Sequence, residues 1–511
     1  VLHAAVGAFL DTVTEREFDP TVLAVLTVQG FHDIHFIHGT FEFGKDVIAK
    51  RRHPETGVIE QYAIQSKAGD IGQGDWRAVR PQLEEAGYNT RAHPHFDGTI
   101  PRVAVLLTTG RLKGAAPTDA QEYAAAIHRR NEWRIEFWDR EHLAAWLVSS
   151  PELALVSLDE QSELQRMLTD IRSDAVDEPS LERFTRRWID APKPGVASLE
   201  AAMLINAFQV RSRLDLAAMC ALQLFRGACG TEQSETTDLQ ARSAKRLFQS
   251  IALELLEAVA PHLDDPAHLA LGDPGPTGMV PYAVTLVRLT EILALAALSS
   301  DSTAIRGELE RVVGVLATDH PGVARPISDQ FAVSIIPTVL VLHRRDPATA
   351  AAYLRSVAKW LMDRTDPAFN GLGLGTMDDN PRSVVERLLG GVLEATTLSR
   401  SLSSYVLTVL LDICVALDEQ DLYRDVLSDA RALGITPCTT KVRSDAAETY
   451  QRAGGPVIPV PRLEYREDGS KSPDASRATE LDAEAVLLLT AACRSRHDLA
   501  AVVSLAPADE D

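Results

Sequence analysis

The apolar pattern changes character near residue 150, and that change splits the chain into two folding problems. Before it, short extended runs alternate with helical stretches. Asp33 to Ile37, Asp46 to Lys50, Ile59 to Lys67, Val103 to Leu107 and Trp133 to Trp138 read as strands. Trp76 to Ala86, Pro117 to Arg130 and Arg140 to Val148 read as helices. Residues 3–29 read as two leading helices, broken near Asp19–Pro20 and ended by Gly30. Val103 to Leu107 is continuously apolar, as a strand buried on both faces requires. Strands and helices of these lengths in alternation specify an α/β domain around one sheet, over residues 1–150.

From residue 151 to 511 the texture is that of helices rich in Ala and Leu. Leu199–Leu224, Ala241–Ala260, Tyr282–Leu298, Thr303–Ala317, Ala348–Met362, Val384–Ala395, Tyr405–Leu417 and Ala483–Cys493 all fit helical spacing. A large all-α C-terminal domain is expected, stacked helical hairpins being one arrangement, although no clean repeat period emerges. Residues 455–478 carry Pro456, Pro459, Pro461, Gly469 and Pro473 among charges and read as a loop excursion. The acidic stretch 507–511 is expected to fray. Gly371-Leu-Gly-Leu-Gly375 lacks the strand and the following Lys-Ser/Thr of a phosphate loop, and reads as a helix connection.

Charge and cysteines narrow the setting. The net charge is −21. Residues 1–150 hold 16 Lys/Arg against 20 Asp/Glu, a net of −4, so most of the acidity lies in the helical part. A generally basic DNA-coating protein is excluded, whereas a local cationic groove is not. Groove candidates are Lys45, Lys50, Arg51, Arg52, Arg77, Arg80, Arg111 and Lys113. The five cysteines form no Cys-x-x-Cys pair and fit no zinc template, which suits scattered thiols in a reducing cytoplasm. No signal-peptide pattern is read, and apolar runs such as Ile292 to Leu298 are short for a bilayer, so no membrane partner is expected. Nine of the 14 histidines fall in residues 1–150. His32, His35 and His38 are spaced by three, which places them on no common strand face, and they read as packing or groove residues rather than a metal site.

The stretch from Phe43 to Gly69 carries the chemistry. A turn at His53-Pro-Glu-Thr-Gly57 joins two strands. With the hairpin centred between Glu55 and Thr56, Asp46 lies opposite Gln65, and Gln65 and Lys67 share a face. A carboxylate, an amide oxygen and an ammonium then converge at one end of a sheet. Mg²⁺ held by such oxygens polarises a phosphate and lowers the pKa of water. Asp46 is the main expected ligand and Gln65 a weaker one. Lys67 is expected to orient the nucleophilic water and stabilise transition-state charge. A further carboxylate is needed as a ligand. Glu17 is the first candidate, with Glu42 and Glu15 behind it.

These residues resemble the PD-(D/E)xK superfamily, particularly its Mrr-like restriction endonuclease branch. Glu17-Phe18 through Gly30-Phe31 looks like the leading helix of that branch. Gly44-Lys45-Asp46 matches its Asp motif, and Gln65-Ser66-Lys67 its Gln-x-Lys motif. Leu107-Thr-Thr-Gly110 and Trp138-Asp-Arg-Glu-His-Leu143 are similar to its later strand-and-helix elements. The resemblance covers about residues 9–148. It departs at Asp19-Pro20, which interrupts the leading helix. It implies a DNA substrate, dependence on Mg²⁺ with Mn²⁺ as a substitute, and a role in restriction or antiviral defence. The helical domain is then expected to drive homo-oligomerisation, meet a protein partner or trigger, or restrain the nuclease. The alternative from another class is a catalytically silent nucleic-acid-binding scaffold with a helical interaction platform.

Overall fold

The computed structural model describes residues 2–37, 46–88, 94–130, 133–154, 158–190, 193–229, 235–269, 279–377, 379–390, 398–438, 464–472, 481–495 and 497–506. The chain divides into two units, Val1–Ala175 with Lys193–Ala207, and Val176–Pro192 with Phe208–Asp511.

In the first unit, α1 (Leu2–Thr12) and α2 (Glu15–Val28) precede β1 (His32–Phe36), β2 (Val47–Arg52) and β3 (Ile59–Lys67). Then follow α3 (Gln73–Tyr88), β4 (Arg102–Thr108), α4 (Ala116–Arg130), β5 (Arg134–Trp138) and α5 (Arg140–Ser149). The five strands lie in sequence order. β1, β2 and β3 are antiparallel neighbours, whereas β3, β4 and β5 run parallel. The entry to β2 and the ends of β3, β4 and β5 therefore share one edge of the sheet.

Register is the feature that positions the site. Val47 faces Ile64 and Arg52 faces Ile59, so Asp46 falls opposite Gln65. The Asp46 N–H donates to Ile64 O at 2.9 Å. At the other end, Gly57 adopts φ +70° and its N–H donates to His53 O, closing the turn. Val47, Ile48 and Ala49 are buried, so a one-residue slip would disturb a packed strand on both faces. One face of the sheet, through Ala63, Ala104 and Leu106, packs on Trp76, Val79 and Leu83 of α3 and on Ala120, Tyr123 and Ile127 of α4. On the other, Phe31 meets Tyr62 and Trp138 edge-on, and Trp138 meets Trp146 of α5.

The leading helices break at residues 13–14, not at Asp19–Pro20. Thr14 and Glu17 start α2 with a capping box, and Pro20 lies inside the helix. Phe18, Thr21, Val22, Val25 and Leu26 are buried on either side of Pro20, which offsets the hydrogen bond that the proline removes.

The helical unit likewise departs in detail. Leu199–Leu224 is two helices, ending at Val210 and resuming at Leu214, with Ser212 at φ +57° between them. Within the expected excursion 455–478, the described residues 464–472 form an antiparallel hairpin. Tyr465 is buried there, and its hydroxyl donates to Asp412 at 2.7 Å. Residues 507–511 lie outside the described residues. The helix Val280–Leu298 is long and apolar enough to cross a bilayer, longer than the run considered from sequence. It is 72% buried within the fold and carries Arg288 and Glu291, which suits a core helix. Arg494 pairs with the same Glu291 and with Glu178, each at 2.6 Å.

Gly110 marks the tightest approach near the shared edge. A Cβ there would lie 2.3–2.4 Å from the backbone of Gly69 and Asp70. Backbone gives way less readily than a side-chain tip, so Gly110→Ala is expected to cost about 1–3 kcal/mol. Thermal or denaturant unfolding of the variant checks this, and an unchanged midpoint would contradict the packing described.

Candidate active site

Asp46 stands at the entry to β2, directly before the buried Val47–Ala49 segment. Its Oδ2 accepts from Gln65 Nε2 at 2.6 Å and from the Ser66 N–H at 2.7 Å. Gln65 is only 4% exposed, so its amide is held against the carboxylate by the surrounding strand. Two residues on, and on the same face, Lys67 closes β3. Its ammonium lies 3.3 Å from Glu15 Oε1 at the start of α2. That pair is a third to a half exposed, and such pairs contribute about 0–1 kcal/mol. An incoming anion can therefore take Glu15's place at small cost.

The loops after β3 and β4 are stitched together beside this group. Thr108 Oγ1 donates to Gly69 O at 2.5 Å, and the Gly69 N–H donates to Thr109 Oγ1 at 2.9 Å. Asp70 accepts the Arg111 N–H at 2.9 Å and pairs with Lys113 at 2.5 Å. The Lys113 hydrogen bond, then that of the Arg111 backbone, holds the Asp70 carboxyl below the usual range. Asp70 was not singled out from the sequence. Its only signal there is position, three residues past Lys67 in a glycine-containing strand-to-helix loop.

Glu17 does not join the group in this arrangement. Its carboxylate accepts from Thr14 Oγ1 at 2.7 Å and from the Thr14 N–H at 3.1 Å, and these bonds lower its pKa. With the helix break at residues 13–14, position 17 becomes the third helical residue, where a capping box claims a glutamate. Glu15, the later choice from sequence, is the carboxylate beside Lys67. Glu42 lies outside the described residues.

The cationic candidates are mostly engaged elsewhere. Lys50 pairs with Asp33 at 2.5 Å, and Arg51 lies over the Phe31 ring at 4.9 Å. Arg52 donates to Gly57 O at 2.6 Å, locking the hairpin turn. At about 3.3 Å per residue, Arg51 and Arg52 stand roughly 17–20 Å along β2 from Asp46. Arg111 follows β4 at the correct edge and pairs with Glu141. Arg80 lies over the Tyr123 ring. Lys45 lies outside the described residues.

The donor set fits a hard divalent cation. Asp46 supplies a carboxylate oxygen, and turning the Gln65 amide about its terminal torsion presents a carbonyl oxygen at the same place. No thiol or imidazole belongs to this group among the described residues.

A family described as restriction endonuclease matches residues 10–147. The matched span runs from the end of α1 into α5 and contains Glu15, Asp46, Gln65 and Lys67. It includes none of the helical unit. No curated protein and no solved structure matches the chain.

The two glutamates separate by measurement. Glu17→Ala is expected to lower stability by about 0.3–1.5 kcal/mol through loss of the cap, with DNA cutting retained. Glu15→Ala is expected to leave the unfolding midpoint nearly unchanged and to alter the cutting rate. The reverse pattern in paired unfolding and cleavage assays would return Glu17 to the site.

Proposed function

On the premise that residues 10–147 form a restriction endonuclease domain, we propose that the chain hydrolyses phosphodiester bonds in DNA with a divalent metal, Mg²⁺ being the expected ion. The carrying observation is the contact between Asp46 and Gln65, with Lys67 on the same strand face at the shared edge of the sheet. Asp46 and Gln65 would hold the ion. When bound, it supplies charge neutralisation at the phosphate and a lower pKa for water. Lys67 directs its ammonium at the water and at the charge that develops on the phosphate. Glu15 keeps that ammonium extended until substrate replaces it. Arg111, at the same edge, becomes a phosphate contact by releasing Glu141.

The helical unit, in this reading, governs assembly or activation. Its support is architectural: an unregulated nuclease endangers its host, and the helices carry no catalytic motif of their own. A second copy of the chain, or a protein trigger, is the partner this implies. Restriction or antiviral defence is the setting we assign, in a reducing cytoplasm. None of the five cysteines is joined in a disulfide, which is compatible with that compartment.

Plasmid DNA incubated with the full chain and Mg²⁺ is expected to be cut, and EDTA is expected to abolish the cutting. Lys67→Ala is expected to slow it by about 10²–10³-fold. Undiminished cutting by that variant overturns the assignment. DNA retained but uncut by the parent, whatever its assembly state, favours the scaffold reading instead.

A further inference from the structure

The first strand of the sheet gathers three groups, two of its own and one from a segment distant in the chain. Asp33 and His35 stand on β1, and His95 comes from the segment between α3 and β4. Asp33 Oδ1 lies 2.8 Å from His35 Nε2 and 3.1 Å from His95 Nδ1. The two imidazole rings are 4.4 Å apart, centroid to centroid. One donor atom from each of the three lies within 4.8 Å of the others. The backbone is distorted at the same place. Asp33 adopts φ +52°, and the β1–β2 register shifts between His32 and His35. A bulge re-aims side chains, and positive φ at a residue other than glycine costs strain that the surroundings must hold in place.

We propose that Asp33, His35 and His95 form a second metal site, taking a transition-metal dication of the zinc type. Two imidazole nitrogens and one carboxylate oxygen suit zinc, cobalt or nickel rather than Mg²⁺. With bonds of about 2.0–2.2 Å, tetrahedral donors sit roughly 3.3 Å apart. The separations from Asp33 Oδ1 need to widen by only a few tenths of an ångström. Lys50 holds the other Asp33 oxygen at 2.5 Å, which leaves Oδ1 as a single-oxygen ligand and fixes the carboxylate from behind. The His95 side chain is 56% exposed, so the ion has a way in and water has room to complete the shell.

This site is distinct from the Asp46 centre. His35 pairs with Ile48, two residues along β2 from Asp46, or roughly 7 Å. The ions of a two-metal catalytic pair lie about 3.5–4 Å apart. The zinc-type ion instead clips the segment carrying His95 onto the edge strand. That strand leads to the catalytic carboxylate, since the Ile37 N–H donates to Asp46 O at 2.8 Å. The three-residue spacing that set His32, His35 and His38 aside from sequence considered one strand only. The partner histidine arrives from beyond a helix, and His38 lies outside the described residues.

Without an ion, the same triad is held by polar contacts of the two imidazoles with the Asp33 carboxylate, and the experiment separates the two. Zn²⁺ is titrated into the full chain in competition with a chromophoric chelator, for the parent and for His35→Ala, His95→Ala and Asp46→Ala. One tight zinc per chain is expected in the parent and in Asp46→Ala, weakened at least about tenfold in both histidine variants. Co²⁺ in place of zinc is expected to give visible absorption that His95→Ala removes. Circular dichroism checks folding. His95 is exposed, so its variant carries the test if His35→Ala fails to fold. Equal zinc affinity in the parent and in His95→Ala overturns the site, as does loss of zinc in Asp46→Ala alone.

Discussion

The pairing of Asp46 with Gln65 across β2 and β3 is the constraint on which the rest depends. Side chains alternate along a strand, so a slip of one residue would send Asp46 and Gln65 to opposite faces of the sheet. Three local features hold the register. Gly57 gives the left-handed turn at one end, Arg52 ties its guanidinium to that turn, and the buried Val47–Ala49 segment fixes which face is which. The parallel pairing of β3 with β4 then carries the arrangement across the sheet, bringing Thr108 level with Lys67.

The candidate site stands at the edge where the parallel strands β3, β4 and β5 end, where loops leave the sheet and expose polar groups without breaking its ladder. Gly110 lets the β3 and β4 loops touch, and hydroxyl and carboxylate groups of Thr108, Thr109 and Asp70 satisfy the backbone that this contact would otherwise strand. The cations divide by strand end. Those beyond Lys50 on β2 serve the hairpin turn and the packing beneath it. Those after β4 stand at the chemical edge, paired with Asp70 and Glu141. In the proposed function, a substrate phosphate would compete with carboxylates already in place. Affinity for DNA in such an arrangement rests on exchange of ion pairs and falls as salt rises.

Much of the first unit was legible because its signals are local. The period-two strands, the His53–Gly57 turn and the apolar run from Val103 to Leu107 each state their own structure, and the hairpin centre follows from the turn. Misplacement of the helix break shows the limit. Pro20 looked like a boundary, yet burial on both sides of it outweighs one missing hydrogen bond, and the weaker sign, Thr14 with Glu17, starts the helix. That shift alone exchanges the roles of Glu15 and Glu17. Ion pairs such as Lys50 with Asp33 and Arg111 with Glu141 join residues from different elements, so no window of sequence contains them. The His35–His95 pair escaped for the same reason. In the helical unit composition gave the class, but not the positions of its turns. Ser212 sits in a left-handed turn that no glycine or proline marks, and the hairpin at 464–472 is held by the distant contact of Tyr465 with Asp412.

In the proposed function Asp46 anchors a divalent ion beside Gln65 and Lys67. Mn²⁺ binding followed by electron paramagnetic resonance tests it most directly, with the parent compared with Asp46→Asn, whose shape is kept and whose charge is removed. The parent is expected to bind Mn²⁺, and Asp46→Asn to lose it while remaining folded. Equal Mn²⁺ binding by both proteins would contradict it.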